Sequence, residues 1–239
     1  MKIQIIPCLK DNYSYLIIDE ENNIACVVDP SEADPVIKYL EKTQIKLKFI
    51  LNTHHHYDHV GGNQKLKEKY GASVIGYEGD KERIPGIDIL VNDQEIWIHK
   101  NFEAKIIHIP GHTLGHICFY FHKDESAFTG DTLFSLGCGR IFEGTYDQMF
   151  DSLNKLKKLP KNTKIFCGHE YTLQNSKFCI THDENNENLK KKINDIKIRL
   201  KSGLSTIPSS IKDELECNIF LRSLNVKKFS KLRDLKDNF

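Results

Sequence analysis

The 239-residue sequence lacks any apolar run that approaches the ~20 residues of a membrane-spanning helix. It also lacks a strong charge of either sign, because 34 lysines and arginines face 33 aspartates and glutamates, whereas nucleic-acid-binding domains are usually strongly basic. Its seven cysteines include no C-x-x-C pair, and its N-terminus has the pattern of neither a signal nor a transit peptide. We therefore expect a cytoplasmic protein with no membrane or nucleic-acid partner.

The sequence pattern and the charge of the chain change near residue 170. Up to that point, short runs rich in Ile and Val, such as 24–29 and 117–121, alternate with helical patterns. From residue 171 on, helical spacing dominates and no strand pattern follows; residues 173–239 carry a net charge of +5, against −4 for the remainder. We predict an α/β domain over 1–170 and a small all-α domain over 171–239. We expect a monomer, since no sustained heptad or large apolar stripe indicates an interface.

The residues that can carry chemistry concentrate in one loop. Four of the eleven histidines lie between His54 and His59, with Asp58 among them, directly after the strand-like run Phe49–Asn52. Imidazole and carboxylate groups are ligands that zinc and similar cations prefer, and a loop at a strand end can turn several side chains onto one point. The alternative is an exposed polar loop, which does not explain so dense a cluster.

Three further candidates stand at predicted strand ends later in the chain, each after an apolar run and a glycine: His112, Asp131 and His169. Singly, each fits an ordinary turn or cap, but together they predict one edge of a sheet lined with metal ligands. Five histidines and two aspartates are more than one tetrahedral ion can use, whereas two ions that share a carboxylate would use all seven. We predict two divalent ions, with zinc expected and iron or manganese as alternatives. Spacing alone leaves His55 open as an alternative ligand.

Longer strings in the sequence resemble a known family. THHHYDHVGGN, PGHTLGHICFY, GDTLFSLGCGR, CGHEYT and the closing LRDLKDNF are similar to glyoxalase II, the hydroxyacylglutathione hydrolases of the metallo-β-lactamase superfamily. The resemblance spans nearly the whole chain and implies the αββα sandwich of that superfamily, an α/β fold, with a small C-terminal all-α domain. It implies hydrolysis of a small-molecule glutathione thioester, S-D-lactoylglutathione, to glutathione and D-lactate, the second step of methylglyoxal detoxification.

The resemblance also implies roles for individual residues. One metal ion would be held by His54, His56 and His112, and the other by Asp58, His59 and His169. Asp131 would bridge the two ions, and Asp58 and Asp131 would orient a metal-bridging hydroxide that attacks the thioester. His55 would lie between ligands with its ring turned away, and Asp29 would hold the ligand loop through hydrogen bonds. Glutathione would be bound by Arg140, Tyr171, Arg233 and Lys236.

Two features qualify these implications. Phe142 stands where some family members have Tyr, which removes one hydroxyl contact to glutathione. Cys138 and Cys167 lie near the predicted site, but a bridging hydroxide makes a thiol nucleophile unnecessary.

Rival interpretations use the same residues differently. A persulfide dioxygenase with a single iron would need only part of the ligand set, and a nuclease, other phosphodiesterase or lactamase would carry a different cap. In a non-catalytic metal-binding protein the histidine loop would form a structural zinc site. In such sites protein ligands fill all four coordination positions and usually include cysteine. The complete set of seven ligands without cysteine favours the binuclear hydrolase.

Overall fold

A computed structural model describes residues 1–239. The chain divides into two compact units, the first made of Met1–His108 and Gly115–Asp124, the second of Ile109–Leu114 and Glu125–Phe239. These units are defined by contacts within the chain. The regions 1–170 and 171–239, which follow from pattern and charge, remain a prediction.

The first unit contains nine strands and three α-helices. The strands are β1 (Lys2–Cys8), β2 (Asn12–Asp19), β3 (Ile24–Val28), β4 (Lys46–Leu51), β5 (Ser73–Tyr77), β6 (Ile87–Val91), β7 (Ile96–His99), β8 (Phe102–His108) and β9 (Ile117–Phe121). The helices are α1 (Ala33–Thr43), α2 (Tyr57–Val60) and α3 (Asn63–Tyr70). Strands β1 to β6 form a sheet in chain order, antiparallel from β1 to β3 and parallel from β3 to β6, and β7, β8 and β9 pair antiparallel.

The core of this unit follows from its apolar pattern. Strand β3 is buried along its whole length, as expected for a strand covered on both faces. Helix α1 buries Val36, Ile37 and Leu40, which repeat at helical spacing, and these side chains join the same core cluster as Val27 and Ile50. Burial of each such side chain contributes about 1.5–3 kcal/mol, so the sheet and its helices hold the strand ends in fixed positions.

The second unit contains short strands and five α-helices. The strands are β10 (Ser126–Gly130), β11 (Leu133–Phe134), β12 (Gly137–Cys138), β13 (Lys164–Cys167) and β14 (Ser209–Ser210). The helices are α4 (Tyr146–Lys157), α5 (Thr172–His182), α6 (Glu187–Lys201), α7 (Ile211–Cys217) and α8 (Val226–Asp237). The expectation that no strand follows residue 171 is wrong for β14, because two residues are too few to leave an alternating pattern.

Four of the five helices of the second unit begin at a side-chain cap. Thr145 and Gln148 form a capping box at the start of α4, and the side chains of Asn186, Ser210 and Asn225 accept backbone N–H groups at the starts of α6, α7 and α8. Each cap satisfies an N–H group that the helix cannot pair internally.

Parallel pairing explains why the candidate residues collect at strand ends. In the first unit β3 pairs parallel with β4, and the Asp29 backbone N–H donates to the Leu51 carbonyl at 3.0 Å. In the second unit β10 pairs parallel with β13, and the Gly168 N–H donates to the Gly130 carbonyl at 2.9 Å. Since the carboxyl ends of parallel strands meet at one edge, each pair brings two functional loops together.

Candidate metal centre and substrate cavity

The histidine loop of the first unit leaves β4 and enters the short helix α2. The His54 and His59 side chains are buried, while His56 and Asp58 are partly exposed. The ring centroid of His54 lies 4.7 Å from that of His56 and 4.2 Å from that of His59. The loop therefore turns three imidazoles towards one point.

Asp29 holds this loop from the end of the neighbouring strand. Its carboxylate accepts hydrogen bonds from the Thr53 N–H at 2.8 Å, the Thr53 hydroxyl at 2.6 Å and the His59 Nδ1 at 3.0 Å. The expectation that Asp29 holds the ligand loop is confirmed. Asp29, His54 and His59 also place ligand atoms within 4.8 Å of one another. Its oxygens already accept hydrogen bonds from Thr53 and His59, which favours a role for Asp29 in orienting the candidate ligands over a role as a ligand.

These bonds determine which ring nitrogen carries the proton. Asp29 is an acceptor, so the His59 Nδ1 must donate to it. The Thr53 hydroxyl donates its proton to Asp29. Its oxygen lies 3.0 Å from the His54 Nδ1 and therefore accepts a hydrogen bond from that nitrogen. In both neutral rings the Nε2 atom is left with the lone pair, and this is the atom a metal ion needs.

His55 has a separate set of partners. Its Nδ1 lies 3.2 Å from an oxygen of the fully buried Asp80, whose carboxylate also pairs with Arg83 at 2.5 Å. A Cβ on Gly115 would stand 2.0 Å from the Asp80 carboxylate, so only glycine leaves room for it. The His55 Nδ1 is thus close to Asp80 while its ring centroid lies 4.9 Å from that of His56, and its expected place outside the ligand set stays a prediction. Asp80 and Arg83 were missed by sequence reasoning, since no local motif distinguishes them.

The second unit places the remaining three candidate ligands together. Oδ2 of Asp131 lies 3.6 Å from the His112 Nε2 and 3.3 Å from the His169 Nε2. The His112 Nδ1 donates to the Arg140 carbonyl at 2.8 Å, which again leaves Nε2 with the lone pair. His169 is stacked on Tyr171 with ring centroids 4.7 Å apart.

The donor spacings fit divalent metal ions. Two ligands with bonds of ~2.1 Å at a tetrahedral angle stand roughly 3.4 Å apart. The Asp131 contacts of 3.3 and 3.6 Å match this spacing, and so does the 3.7 Å between the Asp58 Oδ2 and the His59 Nε2 in the first unit. One oxygen of Asp131 lies within 3.6 Å of the Nε2 atoms of both His112 and His169.

A cavity of about 390 Å³ in the second unit adjoins these ligands. It is lined by His112 and Asp131 and by all four residues that the resemblance assigns to glutathione, Arg140, Tyr171, Arg233 and Lys236. Phe134, Cys138, Gly139, Phe142, Gln174 and Asn175 complete the wall. Gln174 and Asn175 were not predicted from the sequence, because neither amide side chain belongs to a recognisable motif.

The three cations that line the cavity differ in how firmly they are held. Arg233 is 3% exposed and donates to the Cys138 carbonyl at 2.7 Å and to the Asp237 carboxylate at 2.8 Å. Lys236 lies over the Phe178 and Phe239 rings, and burial lowers its pKa, aided by the nearby positive charge of Arg233. Arg140 is more exposed, so the cavity combines one fixed guanidinium with two cations nearer to solvent.

The cysteines near the cavity are not activated thiols. Burial raises the pKa of Cys138, and it raises the pKa of Cys167 to about 12. All seven cysteines are buried and none forms a disulfide. Neither Cys138 nor Cys167 has the lowered pKa of a catalytic nucleophile.

Comparison with known proteins identifies the family. Residues 10–169 match the model of the metallo-β-lactamase superfamily, and residues 170–239 match that of the hydroxyacylglutathione hydrolase C-terminus. A hydroxyacylglutathione hydrolase of Pelagibacter ubique (strain HTCC1062) is 74% identical over 239 residues, 100% of both chains. The chain belongs to the hydroxyacylglutathione hydrolase family. The resemblance seen in the sequence is confirmed, and the family is one of hydrolases.

Solved structures confirm the fold. The structure of ETHE1 from Myxococcus xanthus has a TM-score of 0.75 at 23% identity and covers 98% of this chain and 90% of its own, which shows the metallo-β-lactamase fold alone. The structure of TTHA1623 in a di-iron-bound form has a TM-score of 0.59 at 27% identity and covers 71% and 92%. The fold and the histidine and aspartate groups together imply divalent metal ions in this chain. None of the helices is both long and apolar enough to span a bilayer.

Proposed function

We propose that this chain hydrolyses S-D-lactoylglutathione to glutathione and D-lactate. The observation that carries the proposal is the cavity of the second unit, in which candidate metal ligands and candidate glutathione-binding residues line one wall. The full-length similarity to a protein named hydroxyacylglutathione hydrolase supports the same substrate class, a small-molecule glutathione thioester.

We propose two divalent metal ions per chain, with zinc expected. Following the family pattern, His54, His56 and His112 would hold one ion and Asp58, His59 and His169 the other, and Asp131 would be shared by both. The Nδ1 protons of His54, His59 and His112 support this assignment, because each presents its Nε2 lone pair. The di-iron form of TTHA1623 supports a pair of ions and leaves iron as an alternative to zinc.

The chain's own residues bind and orient the substrate. Glutathione carries two carboxylates, which need cationic partners, and Arg140 and Lys236 stand in the cavity wall to supply them. Tyr171 offers a hydroxyl beside His169. Arg233 already binds the Cys138 carbonyl and Asp237, so its main contribution is to hold the wall in place. Phe142, 64% exposed, offers an apolar edge without a hydroxyl.

Bound divalent ions would supply a hydroxide nucleophile near neutral pH and stabilise the oxyanion that develops at the thioester carbonyl. Asp58 and Asp131 are the acceptors in the site that can orient the attacking water through a hydrogen bond. The leaving group is a thiolate whose parent thiol has a pKa of about 8.5, so it departs without a general acid. The high pKa values of Cys138 and Cys167 support a mechanism without a covalent thiol intermediate.

We further propose that residues 1–170 supply the catalytic region and residues 171–239 the substrate-binding region of a cytoplasmic monomer. The two family matches, which meet between residues 169 and 170, support this division. The seven buried cysteines without a disulfide support a reducing compartment.

The proposal is tested by following the loss of thioester absorbance with S-D-lactoylglutathione. His54→Ala should lower kcat by at least about a hundredfold together with metal content, whereas the matched variant His55→Ala, which alters the adjacent imidazole, should keep both within about tenfold. Lys236→Ala should raise KM with little change in kcat. Wild-type protein that holds metal but leaves the thioester intact would refute the proposed substrate.

A further inference from the structure

A short turn forms one wall of the cavity and depends on distant side chains. We call residues 133–140 the pocket turn. Strands β11 and β12 make a hairpin within it, in which Phe134 pairs with Gly137. Phe134, Cys138, Gly139 and Arg140 of this turn line the cavity. Between the two strands, Leu136 has a φ of +58°, a conformation that a leucine rarely adopts and that its surroundings must enforce.

The backbone of the pocket turn is bound by side chains from helices α5, α7 and α8 and from Asn218, which directly follows α7. Its successive polar groups pair as follows: the Ser135 carbonyl with the Asn175 amide at 3.1 Å, the Leu136 N–H with the Glu214 carboxylate at 2.8 Å, the Leu136 carbonyl with the Cys179 thiol at 3.1 Å, the Gly137 carbonyl with the Asn218 amide at 3.0 Å, and the Cys138 carbonyl with Arg233 at 2.7 Å. The shape of the turn is therefore set by residues far along the chain.

Glu214 and Asn218 stand at the centre of this arrangement. Both are 0% exposed, and the Glu214 Oε2 accepts from the Leu136 N–H and from the Asn218 amide, each at 2.8 Å. The other carboxylate oxygen accepts from the Ser209 hydroxyl. A buried carboxyl group costs free energy unless its oxygens are hydrogen-bonded, as both oxygens of Glu214 are. The bond to Leu136 gives this acidic residue a task that an apolar side chain cannot perform.

The far end of the pocket turn reaches the candidate metal ligands. The Arg140 carbonyl accepts from the His112 Nδ1 at 2.8 Å. A Cβ on Gly139 would stand 1.9 Å from the Asp131 carbonyl, so the two backbones are in close contact. A shift of the turn would therefore move the cavity wall and the groups that orient His112 and Asp131 together.

We propose that Glu214 and Asn218 are positioning residues that fix the pocket turn for the glutathione thioester. The inference rests on the proposed function, since it assigns these residues to the binding wall of that site. They touch no substrate themselves and act through the Leu136 N–H and the Gly137 carbonyl. A purely structural role in α7 would change stability and leave the turn and KM alone.

The test compares four variants of the metal-loaded, full-length protein. Glu214→Ala removes the acceptor of the Leu136 N–H and Asn218→Ala removes the donor to Gly137. Glu214→Gln keeps an acceptor oxygen for Leu136 and Asn218, and its amide can donate to the Ser209 hydroxyl. Ser209→Ala is the matched control, because it removes a bond to the same carboxylate without touching the turn.

The measurements are KM and kcat with S-D-lactoylglutathione and hydrogen–deuterium exchange of a peptide that covers 133–140. Glu214→Ala and Asn218→Ala should raise KM about fivefold or more, with a smaller fall in kcat, and should speed exchange in 133–140 while a peptide from β2 keeps its protection. Glu214→Gln and Ser209→Ala should stay within about twofold of wild type in both readouts.

Unchanged KM and unchanged exchange of 133–140 in either folded alanine variant would overturn the inference. If Glu214→Ala does not fold, Asn218→Ala still decides the matter by the same two readouts. If wild-type protein does not cleave the thioester, the proposed function fails, and the exchange comparison alone then shows whether Glu214 and Asn218 hold the turn.

Discussion

Replacing Glu214 by Gln should make the protein less sensitive to pH. Burial raises the pKa of Glu214 from 4.5 to about 7, because its surroundings disfavour the charged form more than its hydrogen bonds favour it. In the unfolded chain the same group titrates near 4.5. Glutamine has the same shape and no titration, so a comparison of the two proteins isolates this one group.

The sign and size of the effect follow from proton linkage. Between pH 4.5 and 7 the folded protein holds a proton that the unfolded chain has lost. The stabilisation of the folded protein by the Glu214 proton is therefore fully present below about pH 4.5 and disappears as the pH rises through about 7. With these two pKa values, the free energy of unfolding of wild type relative to Glu214→Gln should fall by roughly 2 to 3 kcal/mol from pH 5 to pH 8.

Urea unfolding of both proteins at pH 5 and pH 8, followed by circular dichroism, measures this difference. Other titrating groups contribute equally to both proteins and cancel. Glu187→Gln serves as the control, since Glu187 is exposed on α6 and its pKa is lowered by Lys190 rather than raised. A difference between wild type and Glu214→Gln that stays constant from pH 5 to pH 8 would refute the reasoning.

Three further predictions concern the site. Asp29→Ala should weaken metal binding about 10- to 100-fold in a competition titration with a chelator, because Thr53 and His59 lose their acceptor. Cys138→Ser should keep turnover within about tenfold of wild type, and lost turnover with metals still bound would contradict a hydroxide nucleophile. Gly139→Ala should lower kcat about a hundredfold in the thioester assay, because its Cβ would stand 1.9 Å from the Asp131 carbonyl; wild-type turnover would show that the backbone yields easily.

The fold was predictable where local pattern decides the structure. The run Ile117–Phe121 forms the strand that its apolar character predicts, and the helical spacing after residue 187 forms α6. The two-residue strand β14 exists only because it pairs with β13, a partner some 45 residues earlier in the chain. Pairing with a distant strand produces no alternating sequence pattern in a segment of two residues.

The candidate ligands were predictable because they occur in motifs that a strand end and a glycine make visible. Asp29 was predictable from its place at a strand end, since it directly follows β3. The partners of His55 were not predictable from the sequence. Asp80 and Arg83 have the pattern of ordinary surface charges, and only the fold buries the Asp80 carboxylate.

Glu214 and Asn218 show most clearly which buried residues could not be predicted from the sequence. Both occur in a stretch rich in acidic residues that resembles a solvated helix face, yet both are 0% exposed. Their burial depends on the Leu136 N–H and the Gly137 carbonyl, about 80 residues away in sequence, so no periodicity within α7 could reveal it. Arg233 was predicted as a glutathione contact, and its bonds to Cys138 and Asp237 were beyond the sequence for the same reason.

The most direct test of the account is a titration of the metal-free protein with zinc, in which hydrolysis of S-D-lactoylglutathione is measured at each ratio of metal to chain. A binuclear hydrolase should show no hydrolysis without metal and a rate that rises to a plateau at about two ions per chain. A plateau at one ion per chain would contradict the binuclear centre, and no hydrolysis at any loading would contradict the proposed substrate.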